Sequence, residues 1–357
     1  MPFGPRHIAG FWLVIACCTF SGAAMANPTR VGNDQAQDEQ LLQIYSTADF
    51  GVILPALENF VFRNPQLGIE YHELQSQDLF ARVEQEDTVT ADFVWSSAMD
   101  LQMKLVNDGF ARRVNVGRAR LPDWASWRDE AFAVSVEPAV IVFNKQHLAQ
   151  DEVPQDREGL VHWLNNNPNA FGAVGTYDIE RSGFGLLLAA SDAQRSADFW
   201  RLISAMGHNQ VDLFSSSSAL IERVLDGRLG LAYNVIGSYA AARAAQDDRL
   251  GIVLPKDYTL MVSRIAFVPQ AARNPKLGEA FLRYLLSSEG QLVLNNQVGF
   301  PAVDSSIAWP EALFPLASRD QSNLDPLEVD TGLLVYLDRV RRDNLIRRWR
   351  EALNGAL

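Results

Sequence analysis

From residue 41 onward the apolar positions alternate between short β-rich runs and longer segments in which they recur every three to four residues. Runs of the first kind suit buried strands, and segments of the second kind suit helices laid against a sheet. Residues 41–45 read as a strand, 55–63 as a helix with Leu57, Phe60 and Val61 on one face, and 68–74 as the next strand. Ser76 opens a helix carrying Leu79, Phe80 and Val83, and 91–95 is a third strand ending in Ser96-Ser97. A helix over 99–107 follows, stopped by Asp108-Gly109. This alternation predicts an α/β fold with a mainly parallel sheet.

Two stretches, 131–144 and 258–269, read as long strands able to pass between lobes. Between them lies a second α/β set: helices over 158–165, 183–190, 196–206 and 218–225, and strands over 170–175, 230–233 and 251–254. After the second passage, 274–294 reads as one strong helix with Leu277, Phe281, Tyr284, Leu285 and Leu292. The expected organisation is a first lobe from 41–136 and 260–357, a second lobe from 137–259, and a cleft between them that can close on a ligand. Residues 27–40, polar and without apolar period, read as a disordered lead-in.

The first 26 residues change the picture. Arg6 and His7 precede an apolar run ending at Phe20, and Ala24-Met25-Ala26 has the small-x-small pattern cut by a signal peptidase. The run is shorter than the roughly 20 residues of a membrane span. Cleavage after Ala26 predicts an exported, periplasmic protein of 331 residues without a thiol, because both cysteines, Cys17 and Cys18, lie in the leader. Val14-Ile15-Ala16-Cys17 has the shape of a lipid-attachment box, so lipidation at Cys17 is the rival processing route. The full chain carries a net charge of −12, and loss of Arg6 takes it to −13, which argues against a nucleic-acid partner. The arginine-rich segment 339–350 reads as a solvated helix face balanced by Asp338, Asp343 and Glu351, with a basic patch as the alternative.

In an open α/β sheet, ligands sit beyond the carboxyl ends of the strands. The loops there are Ser46-Thr47, Ser96-Ser97, 176–185, Ser215 to Ser218 and 233–238. They are rich in hydroxyls, amides and glycines at helix starts, a chemistry that holds anions, although Ser and Thr are also the preferred helix caps. Arg181 offers a guanidinium fork for phosphate or carboxylate; equally, it could pair on the surface with Asp178 or Glu180. No G-x-S-x-G elbow, Walker loop, G-x-G-x-x-G or H-E-x-x-H occurs, and the histidines have no partner at metal-ligand spacing. No cofactor and no metal site are expected, and a secreted hydrolase is disfavoured.

The leader, YSTAD at 45–49, ADFVWSSAMD at 91–100, YDIERSGFG at 177–185, RVLDGRLGLAYNVIGSYA at 223–240 and the segment 274–303 together resemble periplasmic solute-binding proteins of ABC transporters. The likeness is to the ferric-binding-like branch, nearest to its phosphoglycerate-transport regulatory and organic-phosphate-binding members. The resemblance implies a two-lobed periplasmic binding protein of type II-like fold with two crossing strands. It implies a non-enzymatic, monomeric receptor for a small anionic metabolite, partnered by a membrane permease with a cytoplasmic ATPase or by a sensor histidine kinase. Ser46, Thr47, Ser96, Ser97, Thr176, Ser182 and Gly183 would then offer hydrogen bonds, Arg181 would pair with the anion, and Tyr233 and Asn234 would contact the rest of the solute. The alternative is a ferric-ion receptor. Against it, the tandem tyrosine of iron-binding members is replaced by Tyr233-Asn234, Asp49 stands near their first-loop ligand, and Ser97 near their glutamate.

Overall fold

The computed structural model describes residues 28–85, 91–117, 119–149, 151–167, 173–310 and 323–355. The expected leader, with Cys17 and Cys18, lies outside them.

The first lobe begins with β1 (Thr29–Gly32), β2 (Leu41–Ser46), α1 (Phe50–Arg63), β3 (Gly68–Glu73), α2 (Ser76–Glu84), β4 (Phe93–Ser96), α3 (Met99–Asn107), β5 (Ser126–Trp127) and β6 (Ala131–Ala133). The chain then builds the second lobe: β7 (Glu137–Asn144), α4 (Arg157–Asn166), β8 (Ala173–Tyr177), α5 (Gly183–Arg195), α6 (Phe199–His208), β9 (Asp212–Phe214), α7 (Ser217–Leu225), β10 (Leu229–Ile236), α8 (Gly237–Ala244), β11 (Leu250–Val253) and β12 (Thr259–Val262). It returns through β13 (Ile265–Phe267), α9 (Pro275–Leu285) and α10 (Ser288–Val293), and ends with β14 (Leu324–Pro326) and α11 (Arg339–Leu353).

Two seven-stranded sheets result, in the orders β1-β3-β2-β4-β13-β6-β5 and β14-β12-β7-β10-β8-β9, with β11 beside β7. β2 lies parallel to β3 and β4, and β8 parallel to β9 and β10, so the carboxyl ends of these strands share one edge in each lobe. The expected crossing stretches are present, but each is broken where it passes between sheets, at 134–136 and at Ser263-Arg264. One apolar cluster runs through this junction, joining Val94, Met103 and Ala133 of the first lobe to Val142, Leu220 and Ala232 of the second.

Three expectations need correction. The lead-in over 27–40 is not disordered where it is described: Thr29–Gly32 forms an antiparallel edge strand on β3, in register Thr29 to Tyr71, and Val31 packs on the first-lobe core. Pairing with a strand already formed satisfies its backbone without any internal apolar period. The single helix expected over 274–294 is two, because the Ser287 hydroxyl accepts the Gly290 amide at 3.1 Å and starts α10 anew. The chain end does not belong wholly to the first lobe. β14 pairs with β12, and α11 packs on α6, with the Trp349 and Phe199 rings 6.0 Å apart and Arg348 lying 4.3 Å from the Trp200 ring. Exposed arginines of α11 pair with Asp343 and Glu351 on the same helix and Arg350 with Glu180, the balanced face expected of that segment.

Candidate functional site

The carboxyl ends of the two sheets face each other across a cavity of about 270 Å³. The first lobe supplies Thr47, Asp49, Gln75, Ser76, Gln77 and Ser97; the second supplies Tyr177, Arg181, Ser182, Gly183, Ser215 to Ser218 and Tyr239; Arg264 enters from the junction. The lobes touch beside it: a methyl group added to Gly183 would lie 3.6 Å from both Gln77 and Leu101. The starts of α2, α5 and α7 border the cavity, which gives it amide N–H groups and the positive ends of three helix dipoles.

Local sequence explains how the walls are built. Ser46 and Ser96 end their strands, and each hydroxyl turns back to accept an amide, from Ala48 at 3.0 Å and Ala98 at 3.1 Å. Those turns present the next residues, Thr47 and Ser97, to the cavity. Thr47 donates to the Ser96 hydroxyl at 3.1 Å and accepts the Ser97 amide at 3.3 Å. Ser182 and Ser216 cap α5 and α7, accepting the Gly185 and Ala219 amides at 3.0 and 3.2 Å. The Tyr177 hydroxyl bonds Ser217, which also accepts the Ile236 amide at 3.1 Å.

Arg181 is exposed in the loop after β8, and among the described residues its guanidinium has no hydrogen-bonding or ion-pair partner. The pairing conceivable from sequence does not occur: Glu180 is taken by Arg350, and Asp178 accepts the Glu180 amide at 3.0 Å. Arg264 differs in every respect. It is buried, its Nε donates to Glu137 Oε1 at 2.9 Å, and its guanidinium lies 4.2 Å from the Phe300 ring. Glu137 also accepts from Ser135 at 3.0 Å and from Ser238. The Tyr239 ring lies 5.7 Å from the Arg264 guanidinium and lines the cavity with Asp49, whose pKa is raised first by burial and then by the Glu73 carboxylate.

Of the ten residues expected to touch a solute, Thr47, Ser97, Arg181, Ser182 and Gly183 line the cavity. Ser46 and Ser96 lie just behind it, as the scaffold of its loops. Thr176, Tyr233 and Asn234 are corrected: they face the interior of the second lobe. β10 runs on to Ile236, three residues beyond its expected end, so Tyr233 and Asn234 lie inside a strand. There the register shifts, and Asn234 adopts φ +64°, a left-handed conformation that asparagine tolerates. Its amide donates to Asp192 at 2.7 Å, and the Tyr233 hydroxyl donates to Asp192 at 2.9 Å while accepting from Arg157 at 2.6 Å. Thr176 donates to the Tyr233 carbonyl at 3.3 Å. Asp49, Gln75, Gln77, Tyr239 and Arg264 also line the cavity and were not among the ten. Two of them left a signal: Arg264, a charge in the middle of an apolar stretch, and Asp49, which the resemblance set near the first-loop ligand of iron-binding members.

Among the described residues no group of three or more His, Cys, Asp or Glu could hold a metal ion, and no helix is long and apolar enough to cross a membrane.

Residues 65–312 match the family of bacterial extracellular solute-binding proteins. No curated protein sequence matches. Among solved structures, the substrate binding protein of an ABC transporter from Agrobacterium tumefaciens is 41% identical, with a TM-score of 0.83 over 91% of this chain and 98% of that one. The periplasmic binding protein AfuA from Actinobacillus pleuropneumoniae, solved with fructose-6-phosphate bound, is 19% identical, with a TM-score of 0.70 over 87% and 98%. Iron-bound HitA from Pseudomonas aeruginosa is 14% identical, with a TM-score of 0.71 over 87% and 99%. The last two likenesses are of fold.

Proposed function

The chain belongs to the bacterial extracellular solute-binding proteins, and from that membership we propose that it captures a small anionic solute, an organic phosphate in the first place, without turning it over. One observation carries the reading: Arg181, unpaired among the described residues, stands at the wall of an interlobe cavity also bordered by three helix starts and by hydroxyls from both lobes. An unpaired guanidinium, amide groups and hydroxyls are all donors, and phosphate oxygens are all acceptors. A single wall carboxylate, Asp49, makes a poor cage for Fe3+, which Arg181 would also repel. The volume is near the lower limit of small-molecule sites, about 300 Å³, and suits a metabolite of few heavy atoms.

The 41% identical relative is the substrate binding protein of an ABC transporter, which favours delivery to a permease with a cytoplasmic ATPase over reporting to a sensor histidine kinase. Export through the leader, with cleavage after Ala26, would place the receptor where such a permease collects its solute. The test is native mass spectrometry of protein recovered from the envelope, followed by thermal-shift screening of phosphoglycerates, sugar phosphates, phosphonates, di- and tricarboxylates, neutral sugars and Fe3+. A phosphate at about 100 times its Kd stabilises the fold by ~2.7 kcal/mol and is recovered chemically unchanged. Stabilisation by neutral sugars or iron alone, or release of a hydrolysed product, defeats the proposal.

A further inference from the structure

The cavity is not uniformly suited to an anion, because its junction side carries an excess of negative charge. Arg264 supplies one positive charge there, and two carboxylates, Glu137 and Asp49, share it. The glutamate holds the guanidinium directly at 2.9 Å, behind the cavity wall. Asp49 is half-buried on the wall itself.

Its orientation is unusual for its position. Asp49 is the N-cap of α1, where an aspartate ordinarily turns back to accept a helix amide, yet its side chain makes no capping bond. The Phe50 amide is accepted instead by Glu73 Oε2, from the end of the neighbouring strand, at 2.9 Å. With Glu73 capping the helix, Asp49 is left on the cavity wall with no capping duty, beside Tyr239.

We propose that Asp49 is a specificity-determining residue for a cationic group on the solute, so that the preferred ligand is a zwitterion: a phosphate or kindred anion at Arg181 and an ammonium at Asp49. The inference rests on the anionic-solute reading and narrows it. Closing the lobes on a pure anion would put a second negative charge into a small chamber beside a carboxylate that has only a shared counter-charge. An ammonium supplies the missing charge and hydrogen-bond donors together, whereas a hydroxyl supplies only the donor. The raised pKa of Asp49, caused first by burial and then by Glu73, is that of a carboxylate that gains from a cation placed beside it.

Three phosphate esters built on the same two-carbon chain test this: ethyl phosphate, 2-hydroxyethyl phosphate and 2-aminoethyl phosphate, titrated by calorimetry near pH 7.5 into the mature protein and its Asp49→Asn variant. Asparagine is as good an N-cap as aspartate, and an unchanged melting temperature without ligand verifies the fold. The native protein is expected to bind the amino ester about tenfold or more tightly than the ethyl ester, as for a hydrogen bond to a charged group. In Asp49→Asn the gap closes to about twofold, and ethyl phosphate binds more tightly than it does to the native protein. Equal binding of all three esters by the native protein, a hydroxyl ester that matches the amino ester, or a gap that survives in the variant overturns the assignment. If none of the three binds either protein, the anionic reading itself has failed and takes this inference with it.

Discussion

Replacing Arg181 by alanine separates a solute clamp from a surface charge, because its surroundings predict opposite effects on affinity and on stability. The guanidinium is exposed and, among the described residues, unpartnered, so its removal leaves no buried group unsatisfied. A surface change of that kind shifts folding stability by no more than about 0.5 kcal/mol. Loss of charge-assisted hydrogen bonds to an anion, by contrast, costs about 1.5 to 3 kcal/mol, or roughly 10- to 150-fold in Kd. Arg181→Lys, which keeps the charge but loses the planar fork, falls between the two. Calorimetric titration with the phosphate ester that binds most tightly to the native protein measures the affinities, and urea unfolding without ligand measures the stabilities. Because Arg181 is exposed to solvent, its contribution weakens as salt is raised, and native and variant affinities converge. A Kd unchanged within about twofold in the folded variant refutes the clamp. A loss of several kcal/mol in unfolding free energy refutes the premise that the side chain has no internal partner.

Asp192 predicts the reverse pattern. It lies deep in the second lobe, accepting from Arg157 at 3.0 Å, Tyr233 at 2.9 Å, Asn234 at 2.7 Å and Tyr258 at 2.8 Å. Asp192→Ala should destabilise the fold by about 3 kcal/mol in chemical denaturation, since it removes one of the two carboxylates that hold the buried Arg157 guanidinium, the other being Asp257 at 3.0 Å, and leaves the Tyr233, Tyr258 and Asn234 donors without their acceptor, while the folded fraction keeps its solute affinity. Asp100, at the start of α3, is buried with its Oδ1 unsatisfied among the described residues, and burial pushes its pKa up to about 7. The native state then holds a proton that the unfolded chain, with an ordinary carboxyl near 3.8, releases earlier. Stability from this group is therefore present below about pH 4 and is lost as pH rises toward 7, by up to ~4 kcal/mol. Asp100→Asn should raise the melting temperature at pH 8 by several degrees and leave it nearly unchanged at pH 4; an equal shift at both pH values contradicts the assignment.

The strands and helices of both lobes were legible because buried parallel strands read as continuous apolar runs and amphipathic helices as a three-to-four residue period. Boundaries were less so, and one of them decided the site. Ending β10 at Tyr233 made Tyr233 and Asn234 loop residues, whereas the strand absorbs a register shift and continues to Ile236. Nothing local announces that bulge; it depends on Asp192, some forty residues earlier, drawing both side chains inward. Thr176 was misplaced for the same reason, because β8 extends through Tyr177. The hydroxyl loops that follow short, well-bounded strands, Thr47 and Ser97, were placed correctly on the cavity wall.

The junction was illegible for a different reason: its chemistry joins four separate segments of the chain. Arg264 stands within LMVSRIAFV, where a charge in a crossing strand implies a partner but does not name one. The partner, Glu137, opens β7, and its remaining hydrogen bonds come from Ser135 in the break just before it and from Ser238 on α8. Tyr239, next along α8, sets its ring 5.7 Å from the Arg264 guanidinium and shares the cavity wall with Asp49 of the first lobe. A buried ion pair adds little net stability over apolar packing, so its position argues for a geometric role. It ties together the two strands at the points where both are broken, while its tyrosine neighbour reaches the cavity wall.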